Sequence, residues 1–159
     1  MAHLSEREDE QLHAMTRSYV TDCLRQIWHT ETPAADDDGD FAYRWGTAIC
    51  WVRPSTAGPH GVEVFAYAAH SVRSSAKLLA EINDLNAASR TCSVHYAHGH
   101  VLVQADLDWD VIGVDTLDRT MRAVGAVADD IGALIAAVYG GETPFDPDAE
   151  DSLADHDAP

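Results

Sequence analysis

Apolar residues in the first thirty positions recur at steps of three and four. Leu12, Met15, Tyr19, Cys23 and Ile27, with Val20, Leu24 and Trp28 beside them, form one stripe of an amphipathic helix. Ser5 and Glu8 have capping-box spacing for its start, and Pro33 stops it. From Phe41 the period changes to two. Phe41–Trp45 and Thr47–Arg53 read as strands, and Pro54–Gly61, with prolines and glycines, as the turn into a third strand, Val62–Ala68. A second helix over about 71–88 turns Val72, Leu78, Leu79, Ile82 and Leu85 inward. Strands Thr91–Tyr96 and Val101–Leu107 meet at a His98–Gly99 turn. Asp115 or Thr116 caps a last helix with a stripe of Leu117, Met121, Val124, Ala128, Ile131, Leu134, Ile135 and Val138, closed by Gly140–Gly141. The pattern predicts an α+β fold: an antiparallel sheet of about five strands with flanking helices, in the order α-β-β-β-α-β-β-α. Residues 1–145 form a single domain in this reading. Residues 146–159, acidic and poor in large apolar groups, are a disordered tail.

Strand parity then separates two faces of the sheet. Ala48, Cys50 and Val52, Val62, Val64 and Ala66, Cys92, Val94 and Tyr96, and Val101, Val103, Ala105 and Leu107 share the inner face. The outer set is not cleanly polar. Ile49, Trp51, Phe65, Tyr67 and Leu102 stand there among Arg53, Glu63, His95 and Gln104. A large side chain left in water forgoes roughly 1.5–3 kcal/mol of burial, so this face calls for a cover. A helix of the chain itself, a second copy, or a client segment would serve.

Charge narrows the partners. The 159 residues include 27 Asp and Glu against 10 Lys and Arg, a formal net charge of −17. Such a field repels phosphate backbones and anionic lipid, which argues against nucleic acid and membrane surfaces. Three isolated cysteines, Cys23, Cys50 and Cys92, lie in apolar segments without a CxxC pair, which suits a reducing interior. No signal-peptide pattern opens the sequence and no apolar run is long enough to span a bilayer, so a cytoplasmic protein is expected.

Candidate chemistry fails on spacing. Matching Asp36, Asp38 and Gly39 to a calcium loop puts Ala34 and Trp45 where ligands belong. His95, His98 and His100 crowd one hairpin without a cysteine or carboxylate completing a set of four. Asp106, Asp108 and Asp110 alternate at a strand exit, with no glycine-rich phosphate loop or lysine accompanying them. No GxSxG, HExxH, GxGxxG or GxxxxGK[ST] motif occurs. The reading is therefore a non-enzyme with no cofactor and no metal site.

Several local patterns resemble the YbjN-like branch of the type III secretion chaperone-like superfamily. They are Asp38-Gly39-Asp40 before the first strand, Trp51-Val52-Arg53, the helix end Ile82-Asn83-Asp84-Leu85-Asn86, and Tyr139-Gly140-Gly141 closing the last helix. The similarity spans about residues 8–145. It implies an antiparallel sheet with flanking helices, a common homodimeric state, and binding of a peptide or protein client without catalysis. Asn83 and Asn86 are expected to serve structure, terminating a helix and hydrogen-bonding nearby backbone. The surface expected to meet the client or a second copy is Ile49, Trp51, Phe65, Tyr67 and Leu102. The alternative is a regulatory or sensory module that binds a small ligand.

Overall fold

A computed structural model describes residues 2–55 and 60–146, the side chains of 2–7 and 60 excepted. The order is α1 (Ala2–Ile27), β1 (Phe41–Trp45), β2 (Ala48–Pro54), β3 (His60–Ala69), α2 (Ala76–Ala88), β4 (Ser93–Ala97), β5 (His100–Asp108), a 3-10 turn (Trp109–Val111) and α3 (Val114–Tyr139). The five strands form one antiparallel sheet in the order β1-β2-β3-β5-β4. The α+β class and the order of elements are those the hydrophobic periods predict. The core of the expected turn, residues 56–59, and the expected tail beyond Asp146 lie outside the described residues.

One core unites the helices with the inner strand face. Ala48, Cys50, Val52, Val62, Val64, Ala66, Val101 and Val103 are fully buried, and they join one cluster with Val20 and Leu24 of α1, Leu78 and Ile82 of α2, and Leu117, Val124 and Ile135 of α3. At roughly 1.5–3 kcal/mol for each large apolar side chain, this single-sided burial supplies most of the driving force for folding. The long helix α3 lies across β3 and comes unusually close at two glycines. A Cβ on Gly125 would stand 2.5 Å from the Trp45 ring, and one on Gly132 would stand 2.4 Å from the Ala68 carbonyl oxygen. Asp129 fixes the same helix to the β1–β2 turn, its Oδ1 accepting from both the backbone N–H and the hydroxyl of Thr47 at 2.8 Å.

The helix ends and stripes differ from the sequence reading in specific ways. Helix α1 starts at Ala2, so Ser5 lies within it and is not its cap. The buried line of α1 is Thr16, Val20, Cys23 and Leu24, whereas Leu12, Met15 and Tyr19 are exposed, because they lie one helical step around from that line. Helix α2 begins five residues late, capped by the Ser75 hydroxyl accepting from the Leu78 N–H at 3.1 Å. The residues before it are committed elsewhere: Ser71 has a positive φ of 56°, and the Val72 and Arg73 N–H groups donate to the Gly99 and Tyr139 carbonyls. Leu79 is consequently outward at 49% exposure.

In α3 the N-cap position is Gly113, and the Thr116 hydroxyl donates to the Val111 and Gly113 carbonyls in place of capping an N–H. Its buried line runs Leu117, Met121, Val124, Ala128, Gly132, Ile135 and Tyr139, which leaves Leu134 and Val138 exposed. Gly140 adopts the left-handed conformation that ends the helix (φ 73°). Beyond it the chain turns back and Glu142 bridges His70, each backbone N–H donating to the other's carbonyl.

Candidate binding face

Registry places the outward residues of the sheet in rows that cross the strands. The first row reads Arg44, Ile49, Tyr67, Leu102 and His95. The second reads Ala42, Trp51, Phe65, Gln104 and Ser93. The third reads Arg53, Glu63 and Asp106. All five residues singled out from sequence, Ile49, Trp51, Phe65, Tyr67 and Leu102, therefore fall in two adjacent rows at the centre of one face.

None of these five belongs to the helix-packed core or packs against it. They shelter one another instead. The Trp51 and Phe65 rings stack with centroids 5.2 Å apart and planes 13° apart, and Tyr67 meets both edge-on, at 5.3 Å from Trp51 and 6.4 Å from Phe65. His100 continues the cluster, its ring 5.1 Å from that of Tyr67. Offset and edge-to-face pairs of this kind contribute about 0.5–1.5 kcal/mol each beyond area burial. Phe65, flanked on both sides, is down to 7% exposure, while the other four remain half-buried. Helices α1, α2 and α3 all pack into the core on the opposite face, so among the described residues no helix supplies a cover.

The third row is charged. The Arg53 guanidinium sits 4.5 Å over the Phe65 ring and donates to Asp40 Oδ2 from Nε at 2.9 Å and Nη2 at 2.7 Å. It also reaches Glu63 at 3.4 Å. Hydrogen bonding to Asp40 comes first among the causes that raise the Arg53 pKa, so this cation is permanent. Asp40 itself is buried, held by its own backbone N–H on Asp36 Oδ1 at 2.9 Å. The role of Asp40 was not apparent from sequence, where it reads as one more aspartate of a loop. Its offset position just before β1, opposite the end of β2, is the signal that would have found it. Glu63 stands directly across from Asp106, and Asp106 accepts from the neutral Gln104 amide at 3.3 and 3.5 Å. Gln104 and Asp106 also wall a cleft of about 750 Å³ beside β4, whose other lining residues include Arg90, Thr91, Ser93 and His95.

The remaining sequence candidates are placed apart from any common centre. Asp36 accepts from the Asp38 and Asp40 N–H groups, which is turn chemistry. His98 occupies the β4–β5 turn at positive φ, and His95 faces outward on β4. The cysteines are free and buried; burial pushes the Cys50 thiol up to about 12, with Tyr43 hydrogen bonding pulling it down and Asp129 pushing it further up. Burial likewise raises Cys23 and Cys92, the opposite of what a thiolate nucleophile needs. Asn86 does not terminate its helix; its side chain donates to the Val94 carbonyl at 2.8 Å and accepts from the Val94 N–H at 2.7 Å. A second exposed apolar group, missed because its α1 members were assigned inward, joins Leu12, Met15 and Tyr19 of α1 to Trp109, whose ring meets Tyr19 edge-on at 6.4 Å.

The family profile for T3SS (YopN, CesT) and YbjN peptide-binding chaperone 1, TY-Chap1, matches residues 14–147. The chain belongs to this family. Two solved structures share the TY-Chap1 chain's fold. The crystal structure of the ExsC–ExsE complex superposes with a TM-score of 0.59 at 9% identity, covering 77% of this chain and 94% of that one. The Yersinia pestis type III secretion chaperone SycH, in complex with a stable fragment of YscM2, gives 0.54 at 14% identity over 71% and 96%. No curated protein matches in sequence. The resemblance read from the helix end Ile82–Asn86 and the other short motifs is thus to the family in which the chain falls. Among the described residues no helix is long and apolar enough to cross a membrane.

Proposed function

We propose that this TY-Chap1 chain is a non-catalytic binding protein that holds a segment of another polypeptide on the uncovered sheet face. Trp51, Phe65 and Tyr67 are its anchors, with Ile49 and Leu102 at their flanks. One observation carries the reading: five large apolar side chains occupy adjoining rows of a face that no helix covers among the described residues, and they stand outside the core. Aromatic rings suit this role because each buries a large area while giving up few rotamers. The family's description as peptide-binding supports the same use.

The protein works as a homodimer in this reading, in the reducing cytoplasm to which its three free cysteines are suited. The helical side offers Leu79 of α2 and Leu134 and Val138 of α3 for subunit contact, near the hydrogen bond that Tyr139 makes to Glu81. That arrangement leaves the sheet face for the client.

The test replaces Trp51 and Tyr67 by Ser and follows client-peptide binding, particle mass and unfolding together. Loss of peptide binding with mass and fold retained is the expected result. Unchanged binding would remove the face from the function. A small-ligand role would have the polar cleft beside β4 as its place, and a saturable thermal shift with a metabolite but none with peptides would favour it.

A further inference from the structure

Resting on that reading, we infer that the segment held on this face is extended and carries a basic residue two positions along from its apolar side chains, in the order apolar-x-apolar-x-Lys/Arg. Two features of the face set this pattern. The first is pitch. The three rows succeed one another at two-residue steps along β2, β3 and β5, from Ile49–Tyr67–Leu102 through Trp51–Phe65–Gln104 to Arg53–Glu63–Asp106. Two residues of extended chain advance about 6.6–6.8 Å, whether in the sheet or in a segment laid along it. A strand laid on the face in the direction of β2 and β5, antiparallel to β3, therefore presents alternate side chains to successive rows, apolar first and basic last, as the facing layers of a β-sandwich do.

The second feature is the change of chemistry from row to row. The first two rows are apolar at the centre and bear no carboxylate. The third sets one cation, Arg53, against the carboxylates of Glu63 and Asp106, with that of Asp40 beside the row. Arg53 is already spent on Asp40 through two short hydrogen bonds and reaches Glu63 only at 3.4 Å. Glu63 and Asp106 are directly opposed across β3 and β5, a like-charge pairing that destabilises a sheet. Among the described residues no Lys or Arg forms a salt bridge with Asp106, which has the neutral Gln104 amide. A Lys or Arg arriving above Glu63 and Asp106 relieves that repulsion, and its aliphatic stem packs beside Phe65. An acidic residue at the same place adds a third like charge. The net charge of −17 acts in the same direction at long range but selects no position, whereas the third row does.

The experiment uses the full chain and two labelled peptides, acetyl-Ser-Leu-Ser-Leu-Ser-Lys-Ser-amide and its counterpart with Glu for Lys, followed by fluorescence anisotropy at low and at moderate salt. The Lys peptide is expected to bind roughly three- to tenfold more tightly than the Glu peptide, the range that two part-exposed ion pairs supply. The preference should fall to near unity in the near-isosteric double variant Glu63→Gln/Asp106→Asn. It should persist in the control Asp84→Asn/Asp130→Asn, which lowers the charge equally on the exposed surfaces of α2 and α3. Trp51→Ser should weaken both peptides.

Equal affinity for the two peptides, with Trp51 still required, overturns the charge pattern and leaves the proposed function standing. Equal loss of preference in the control variant overturns it too, by showing that overall charge suffices. Binding of neither peptide, or binding indifferent to Trp51, overturns the proposed function itself. So does a dimer that dissociates on Trp51→Ser, since a second copy would then be the occupant of the face.

Discussion

The two faces of the sheet are built from the same strands, yet they do different work. Val64 and Phe65 are neighbours on β3; one sits under α3 in the core, and the other is stacked between Trp51 and the Arg53 guanidinium on the open side. On the inner face each apolar group is pinned from above by a helix, so removal leaves a cavity. On the outer face the groups are supported sideways by rings and by one cation, so removal opens onto water. Stability therefore resides in the first face, and the second is available for something else.

The largest separation should come from truncating each side in turn. Leu117→Ala, on the buried line of α3, is expected to lower the unfolding free energy by about 2–5 kcal/mol. In urea titrations Trp51→Ser should cost less, about 1–3 kcal/mol for its two lost ring contacts, with Phe65 and Tyr67. Equal losses would mean that the outer cluster is core after all.

Alkaline pH probes the helix-packed side of the sheet. Cys50 holds its proton to about 12 in the folded chain, against an ordinary value of 9.0, because it is buried. Below pH 9 both states keep the proton and the native preference is fully present. Above it the unfolded chain releases the proton first, so stability falls as pH rises, by up to about 1.4 kcal/mol per unit until about pH 12. Burial also raises Tyr43, which donates its hydroxyl proton to the Met121 carbonyl, so it steepens the fall above pH 10. Cys50→Ala should flatten the decline between pH 9 and 10, read by thermal unfolding in a pH series.

The smallest effect is the sharpest for the comparison. Glu63→Gln removes a charge facing Asp106 and loses a 3.4 Å contact with Arg53, two opposing changes of a few tenths of a kcal/mol at part-exposed sites. Denaturant midpoints should barely move. A destabilisation approaching that of Leu117→Ala would place the charged row within the structural core.

The sheet and its two faces were legible in the sequence because the strand period is two and errors of a residue at an end leave parity unchanged. Phe41–Trp45 has the same limits in sequence and structure, and the five outer residues fall in contiguous rows. Helical stripes were less legible. At 100° per residue a three- or four-residue step is satisfied by two neighbouring lines, and Met15, Tyr19, Leu134 and Val138 were read onto the wrong one. The start of α2 was hidden for another reason: Val72 and Arg73 are claimed by the distant Gly99 and Tyr139 carbonyls, which no local pattern announces. The charged third row depends on Asp40 meeting Arg53 and on the β3–β5 register, both long-range facts.

Asn86 has a consequence for the free edge of the sheet. β4 is the last strand of the sheet, and its outward Val94 N–H and carbonyl are where another chain's strand would begin to pair. The Asn86 amide, donor and acceptor together, fills that place as a peptide group would. The margin is thereby plugged against templated fibre growth. At this border the sheet is a poor seed for aggregation.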